Sequence, residues 1–175
     1  MHIVRRVEQT SSVDGRVRTV GNYQVFHDGV AQQGRDMKGM IAEARGPGAN
    51  SPRGNGRRVE ARRYPLATQN GENYKTFEYV DSFEAGVYPQ PGFELQATDE
   101  RSEILVHPGH DFLASVGCIN PCTSLPDEDE EITFVSSRRR VIALIEDMKH
   151  FVGGDFPSSN GQPIPKAFVV IDGEP

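Results

Sequence analysis

Two cysteines in 175 residues are too few for a disulfide framework. Only Ile-Asn-Pro separates Cys118 from Cys122, so a bridge between them would close a very small loop stiffened by Pro121. Free thiols are therefore expected. No run of about 18 consecutive apolar residues occurs, which excludes a long apolar spanning helix. The first fifteen residues, MHIVRRVEQTSSVDG, lack the apolar h-region of a secretory signal, so synthesis in the cytoplasm without a signal peptide is expected. Stacking aromatics are missing around Arg53, Arg57, Arg58, Arg62 and Arg63, and no nucleic-acid motif accompanies them. That segment, beside the glycine-rich GPGANSPRGNG at 46–56, is read as a solvated loop face with no nucleic-acid partner. The acidic run DEDEE at 127–131 is read the same way.

What is present describes one soluble, turn-rich domain spanning 1–175: 36% hydrophobic and 25% charged residues, with 18 Gly and 12 Pro. The net charge is −6, unevenly spread, since the first 64 residues hold 12 of the 19 Lys/Arg and only 6 of the 25 Asp/Glu. Alternation of apolar and polar residues predicts a mainly β chain. Strands are expected in GNYQVFHDG (21–29), RRVEARRYPLA (57–67), YKTFEYV (74–80), GFELQA (92–97), SEILVHP (102–108) and KAFVVIDG (166–173). A hairpin through Asn70-Gly71 is expected to pair the second and third of these. Residues 36–46 fit helix and strand equally, with Met37, Met40, Ile41 and Ala44 at helical spacing and Gly39 against it. One helix is clear: Ser136 or Ser137 as cap, the stripe Val141, Leu144, Ile145, Met148 and Phe151, and Gly153-Gly154 as stop. A Pro/Ser/Gly-rich segment at 155–165 follows it.

The chemistry concentrates in VHPGHDFLASVGCIN, residues 106–120. A cysteine becomes a nucleophile at neutral pH when a histidine or a helix N-terminus stabilises its thiolate. His107, at the end of a predicted strand, stands 11 positions before Cys118, enough chain for a loop to fold back beside it. Gly117 permits a tight backbone before the thiol, where amide N–H groups can meet a developing oxyanion.

The run Ser115-Val116-Gly117-Cys118-Ile119-Asn120, with His107 upstream, resembles the signature of the L,D-transpeptidase catalytic domain: Ser or Thr, His, Gly, Cys, a hydrophobic residue, Asn. Five of those six positions match; Val116 stands where the family has histidine. The seven residues between His107 and Ser115 are fewer than is usual there, as in a compact, short-gap branch of uncharacterised phage- and secretion-associated proteins. The resemblance implies a small β barrel or sandwich of short strands with one amphipathic helix after the cysteine loop. It also implies Cys118 as the acylated nucleophile, His107 as the base, and the backbone around Gly117 and Cys118 as the oxyanion hole. The implied substrate is a peptidoglycan stem peptide, reached in the periplasm or cell wall through a secretion or phage system, with no cofactor and no metal.

Other readings of the same residues stay open. His107, His110, Cys118 and Cys122 are ligand types that tetrahedral zinc accepts, although neither Cys-x2-Cys nor His-x3-His spacing occurs. A loop holding a buried cysteine and a surface histidine needs no catalysis at all. The alternative function is a non-catalytic structural or interaction domain of a phage or secretion particle. Around the pair, Ser115 and Asn120 are expected to shape the loop, and His110 to orient His107 or touch substrate. Arg101, with the Arg57 to Arg63 cluster, is expected to meet carboxylates of a stem peptide. Cys122 is expected to be structural or to resolve an oxidised Cys118. Nothing in the sequence sets the oligomeric state.

Overall fold

The computed structural model describes all 175 residues. Its strands are β1 (His2–Thr10), β2 (Val17–Gln24), β3 (Phe26–His27), β4 (Val30–Ala31), β5 (Lys38–Ala44) and β6 (Arg63–Thr68). There follow β7 (Tyr74–Lys75), β8 (Gln90–Pro91), β9 (Phe93–Leu95), β10 (Leu105–Val106) and β11 (Asn120–Cys122). Helix α1 (Phe134–Val152), a single 3-10 turn (Gly153–Asp155) and β12 (Pro163–Asp172) complete the chain. The fold is mainly β, with its one α-helix after the cysteine loop, as expected. No helix is long and apolar enough to cross a membrane.

Eight strands form one sheet in the order β10-β9-β6-β12-β1-β2-β5-β11, antiparallel except where β1 runs parallel to β12. The two end strands then meet: Val106 bridges Ile119 in parallel, His107 N–H donates to the Ile119 carbonyl (3.1 Å), and Ile119 N–H donates to Leu105 (2.8 Å). That contact nearly closes the sheet into a barrel and leaves few strand groups unpaired. One core of twenty buried residues fills it, taking Ile3, Ile41, Leu66, Val106 and Ile119 from the wall and Val141, Leu144 and Ile145 from α1. Val141, Leu144 and Ile145 of the stripe read from the sequence thus face the core and Met148 packs at its margin, while Phe151 stacks on His27. A smaller apolar cluster, Val20, Ala42, Cys122, Leu125 and Ile132, covers the opposite face of β2, β5 and β11.

Several local expectations are corrected. The helix begins at Phe134 behind Thr133, whose side chain makes no cap bond, so neither Ser136 nor Ser137 caps it. Residues 36–46, open between helix and strand in the sequence, are strand at Lys38–Ala44, because β2 and β11 flank them on both sides and satisfy their backbone groups. β1 had no counterpart in the sequence reading. The Asn70-Gly71 turn forms, Asn70 bridging Lys75 and Thr76 N–H donating to the Gln69 carbonyl, but the hairpin goes no further: β6 pairs with β12 and β9, while β7 pairs in parallel with β8. The last strand starts at Pro163, three residues earlier than its apolar run.

The arginine segment is only partly a solvated face. Arg53 and Arg63 are exposed, but Arg58 is 1% exposed and bonds Glu8 (2.7 Å) and Glu174 (2.7 Å). Arg5 forks onto both oxygens of Glu43 at 2.8 and 2.9 Å, with both side chains fully buried, and reaches Glu174 as well. The DEDEE run is exposed throughout. Leaving one charge of a buried pair without its partner is costly. Glu43→Ala is expected to lower the unfolding free energy by about 3–5 kcal/mol in denaturant titration, whereas Glu8→Ala, at the more exposed pair, costs about 1 kcal/mol or less.

Candidate active site

Side chains alternate across a sheet, so the inward pointing of Val106 and Ile119 turns Leu105, His107, Cys118 and Asn120 to the outer face of the seam. Leu105 stands beside Cys118 and His107 beside Asn120, which makes His107 and Cys118 diagonal neighbours. Fold closure alone brings the two together.

His107 is 3% exposed, its ring against Tyr74 with centroids 4.2 Å apart. Its Nδ1 lies 2.9 Å from the Pro108 carbonyl oxygen, which only accepts, so Nδ1 carries the proton. Nε2 is left with its lone pair. The Asn120 amide donates to the His107 carbonyl at 3.1 Å; its 3.4 Å approach to Nδ1 is a contact between two donors. Burial holds the imidazole down to about 4, neutral at pH 7. Helix α1 pins the arrangement through Ser137, whose hydroxyl accepts from Gly109 N–H (2.8 Å) and donates to the Pro121 carbonyl (2.5 Å). Gly109 is required by close approach, since a Cβ there would stand 2.7 Å from Asn120 Cβ.

Cys118 is half-buried and unoxidised. Its Sγ accepts from Leu105 N–H at 3.3 Å, and its thiol is directed at the Glu103 carbonyl 3.5 Å away. No hydrogen bond joins it to His107. Burial pushes the thiol up, outweighing the Leu105 amide, Ser115 and the Arg101 charge. Burial also pushes up the hydroxyl of Tyr74, the aromatic packed on His107. Glu103 itself sits at φ 56°, a left-handed conformation uncommon for glutamate.

The loop before the thiol is built from below. Ser115 donates to the Cys118 carbonyl (2.9 Å) and accepts from Gly117 N–H (3.0 Å), as its expected shaping role requires. The oxyanion role expected of Gly117 needs correction, because its amide is already committed to Ser115. The Cys118 N–H meets no acceptor and remains for that task. Gly117 has φ +149°, and a Cβ there would fall 1.8 Å from Arg101 Nη2. Arg101 is itself buried, donating to the carbonyls of Ala49 (3.0 Å), Arg57 (2.8 Å) and Val116 (3.4 Å). It braces the cysteine loop rather than meeting ligand carboxylates.

His110 does not orient His107; Pro108 does. His110 is exposed on the loop and pairs with Asp111 at 2.8 Å. The four zinc-type residues do not converge, for no three His, Cys, Asp or Glu side chains in the chain stand where they can share an ion. Cys122 lies under Leu125 and Ile132, and burial pushes its thiol up to about 12. Tyr74 and Ser137 were missed by sequence reasoning. Tyr74 looked like one alternating strand residue, and Ser137 looked like a cap.

Comparison of the chain with known protein families, characterised proteins and solved structures finds no match. The likeness to the L,D-transpeptidases therefore rests on Ser115 to Asn120 and His107.

Two outcomes are expected. The unfolded chain takes up a proton near pH 6.5 while folded His107 resists it to about 4, so stability is full above pH 6.5 and falls as pH drops through that window. The loss is on the order of 3 kcal/mol, read by denaturant unfolding across pH, and is absent from His107→Gln. Gly117→Ala displaces Arg101 and lowers Tm; Arg101→Ala in the same chain adds less than its own single cost, which thermal melts of the four proteins measure.

Proposed function

We propose that this chain is a cysteine-dependent acyl-transfer domain of L,D-transpeptidase or L,D-carboxypeptidase type, acting on peptidoglycan stem peptides. The observation carrying it is the neutral, Nδ1-anchored His107 beside the half-buried Cys118 on the outer face of the barrel seam. A base must present an unprotonated nitrogen to its nucleophile, and the Pro108 carbonyl fixes the tautomer that leaves Nε2 unprotonated.

At rest the thiol hydrogen points to Glu103. Entry of a peptide carbonyl turns Cys118 toward Nε2. His107 takes the proton as sulfur attacks the carbonyl carbon, and the free Cys118 amide receives the developing oxyanion. Collapse breaks the C–N bond, the departing amine takes the proton from Nε2, and a thioester remains. Water or a second amine then gives its proton to Nε2 and attacks the thioester; the proton returns to sulfur as the product acid or amide leaves. The acceptor that enters decides between hydrolysis and cross-linking. A wall substrate further requires delivery by a secretion machine or phage lysis.

The resting bond of the thiol to Glu103, not to His107, favours the second reading: a non-catalytic interaction module that keeps the fold. Iodoacetamide labelling at pH 7.5 separates the two. The catalytic proposal expects the label on Cys118, absent in Cys118→Ala, with the rate falling at least tenfold in His107→Ala. It also expects soluble peptidoglycan fragments carrying stem peptides to lose a terminal residue or join in pairs, as mass spectrometry reads. Equal labelling rates with intact fragments would overturn the catalytic proposal.

A further inference from the structure

A second site shares no lining residue with the seam cluster. β12 and β6 pair at Pro163 with Ala67 and again at Phe168 with Pro65, so β12 advances five residues while β6 advances two. The excess forms a bulge in the barrel wall, and Lys166 within it adopts φ 61°. Beside this bulge opens a pocket of about 510 Å³ that reaches the core residues Leu66, Phe93 and Leu144. That volume lies within the range of about 300–1,000 Å³ typical of small-molecule sites.

Its polar groups are few. Arg63 stacks its guanidinium over Phe168, 3.5 Å from the ring centroid, and forms no salt bridge; Lys166, also on the lining, forms none either. On the other lining elements the Asp147 carboxylate is answered by His27 at 2.8 Å, and His27 stacks on Phe151 at 4.3 Å. Asp28, at the tip of the β3–β4 turn, is the remaining carboxylate. Two uncompensated cations on the β6–β12 wall of an apolar pocket complement a ligand with one negative group and an apolar body. A guanidinium already held flat by an aromatic ring presents its fork at little entropic cost, and carboxylate is the anion that fork fits.

We propose that this pocket binds a small amphiphilic carboxylate, its apolar body against Leu66, Phe93 and Leu144 and its carboxylate on Arg63 and Lys166. The body loses water on an existing apolar surface, and the charge remains at the wall, where it is only partly desolvated. The site is independent of the acyl-transfer proposal, since neither uses the other's residues.

Isothermal titration of the intact protein with decanoate, decanol and acetate tests it. One decanoate per chain is expected, with decanol and acetate each at least tenfold weaker. Arg63→Ala/Lys166→Ala, both exposed positions, is expected to weaken decanoate at least tenfold without changing decanol or the circular dichroism spectrum. Met148→Trp, which fills the pocket from its helical side, is expected to remove binding of both. Equal affinity for decanoate and decanol would overturn the proposal, as would decanoate binding that survives Met148→Trp. Attachment to phosphatidylglycerol vesicles without binding of free decanoate would overturn it too, by showing that the cations serve a lipid surface.

Discussion

The single parallel contact between Val106 and Ile119 is the constraint on which the molecule turns. Without it β10 and β11 are the two edges of an open sheet; with it the sheet closes around one core. Closure needs an in-facing apolar residue on each end strand, and side-chain alternation then leaves no freedom for their neighbours. His107 and Cys118 are adjacent on the outer face because Val106 and Ile119 are adjacent on the inner one. Ser137 adds the third support, one hydroxyl joining the chain after His107 to the chain after Asn120. The His107–Cys118 pair is thus held by backbone pairing, and side-chain packing only refines it.

Buried arginines hold the loops that closure leaves irregular. Arg18 donates to the carbonyls of Phe112 and Asp127, Arg101 to those of Ala49, Arg57 and Val116, and Arg138 to that of Val80. A guanidinium suits this work, since its donors can reach carbonyls from separate segments at once. Desolvating the charge opposes folding, and multiple bonds to charged donors offset it at about 1.5–3 kcal/mol each. With so many strands of only two or three residues, such clamps substitute for ladder pairing in the segments between them.

Legibility of the sequence follows the range of the forces involved. The helix stripe at Val141, Leu144 and Ile145 was readable because its period is local. The motif was readable as a set of residue types, and Ser115 behaves as its position suggested. What escaped depends on distant partners. β1 carries Arg5 at a buried position where a strand pattern wants an apolar residue, and Arg5 is accommodated by Glu43, Val59 and Glu174, all distant in sequence. Arg58 and Arg101 looked like surface charge because the carboxylates and carbonyls that bury them lie in other segments. The contact of Tyr74 with His107 joins two elements that no spacing rule connects.

Electrostatics set the chemistry that the seam can support. The resting pair is neutral on both sides, because burial disfavours thiolate and imidazolium alike. Moving the proton from a thiol that burial pushes up to an imidazole held near 4 is uphill, which works against a standing thiolate–imidazolium pair. Proton transfer and sulfur attack must then run together, with the substrate carbonyl already in place to take the charge. Such a thiol reacts only as its proton passes to His107, so its reactivity toward any electrophile depends on that histidine.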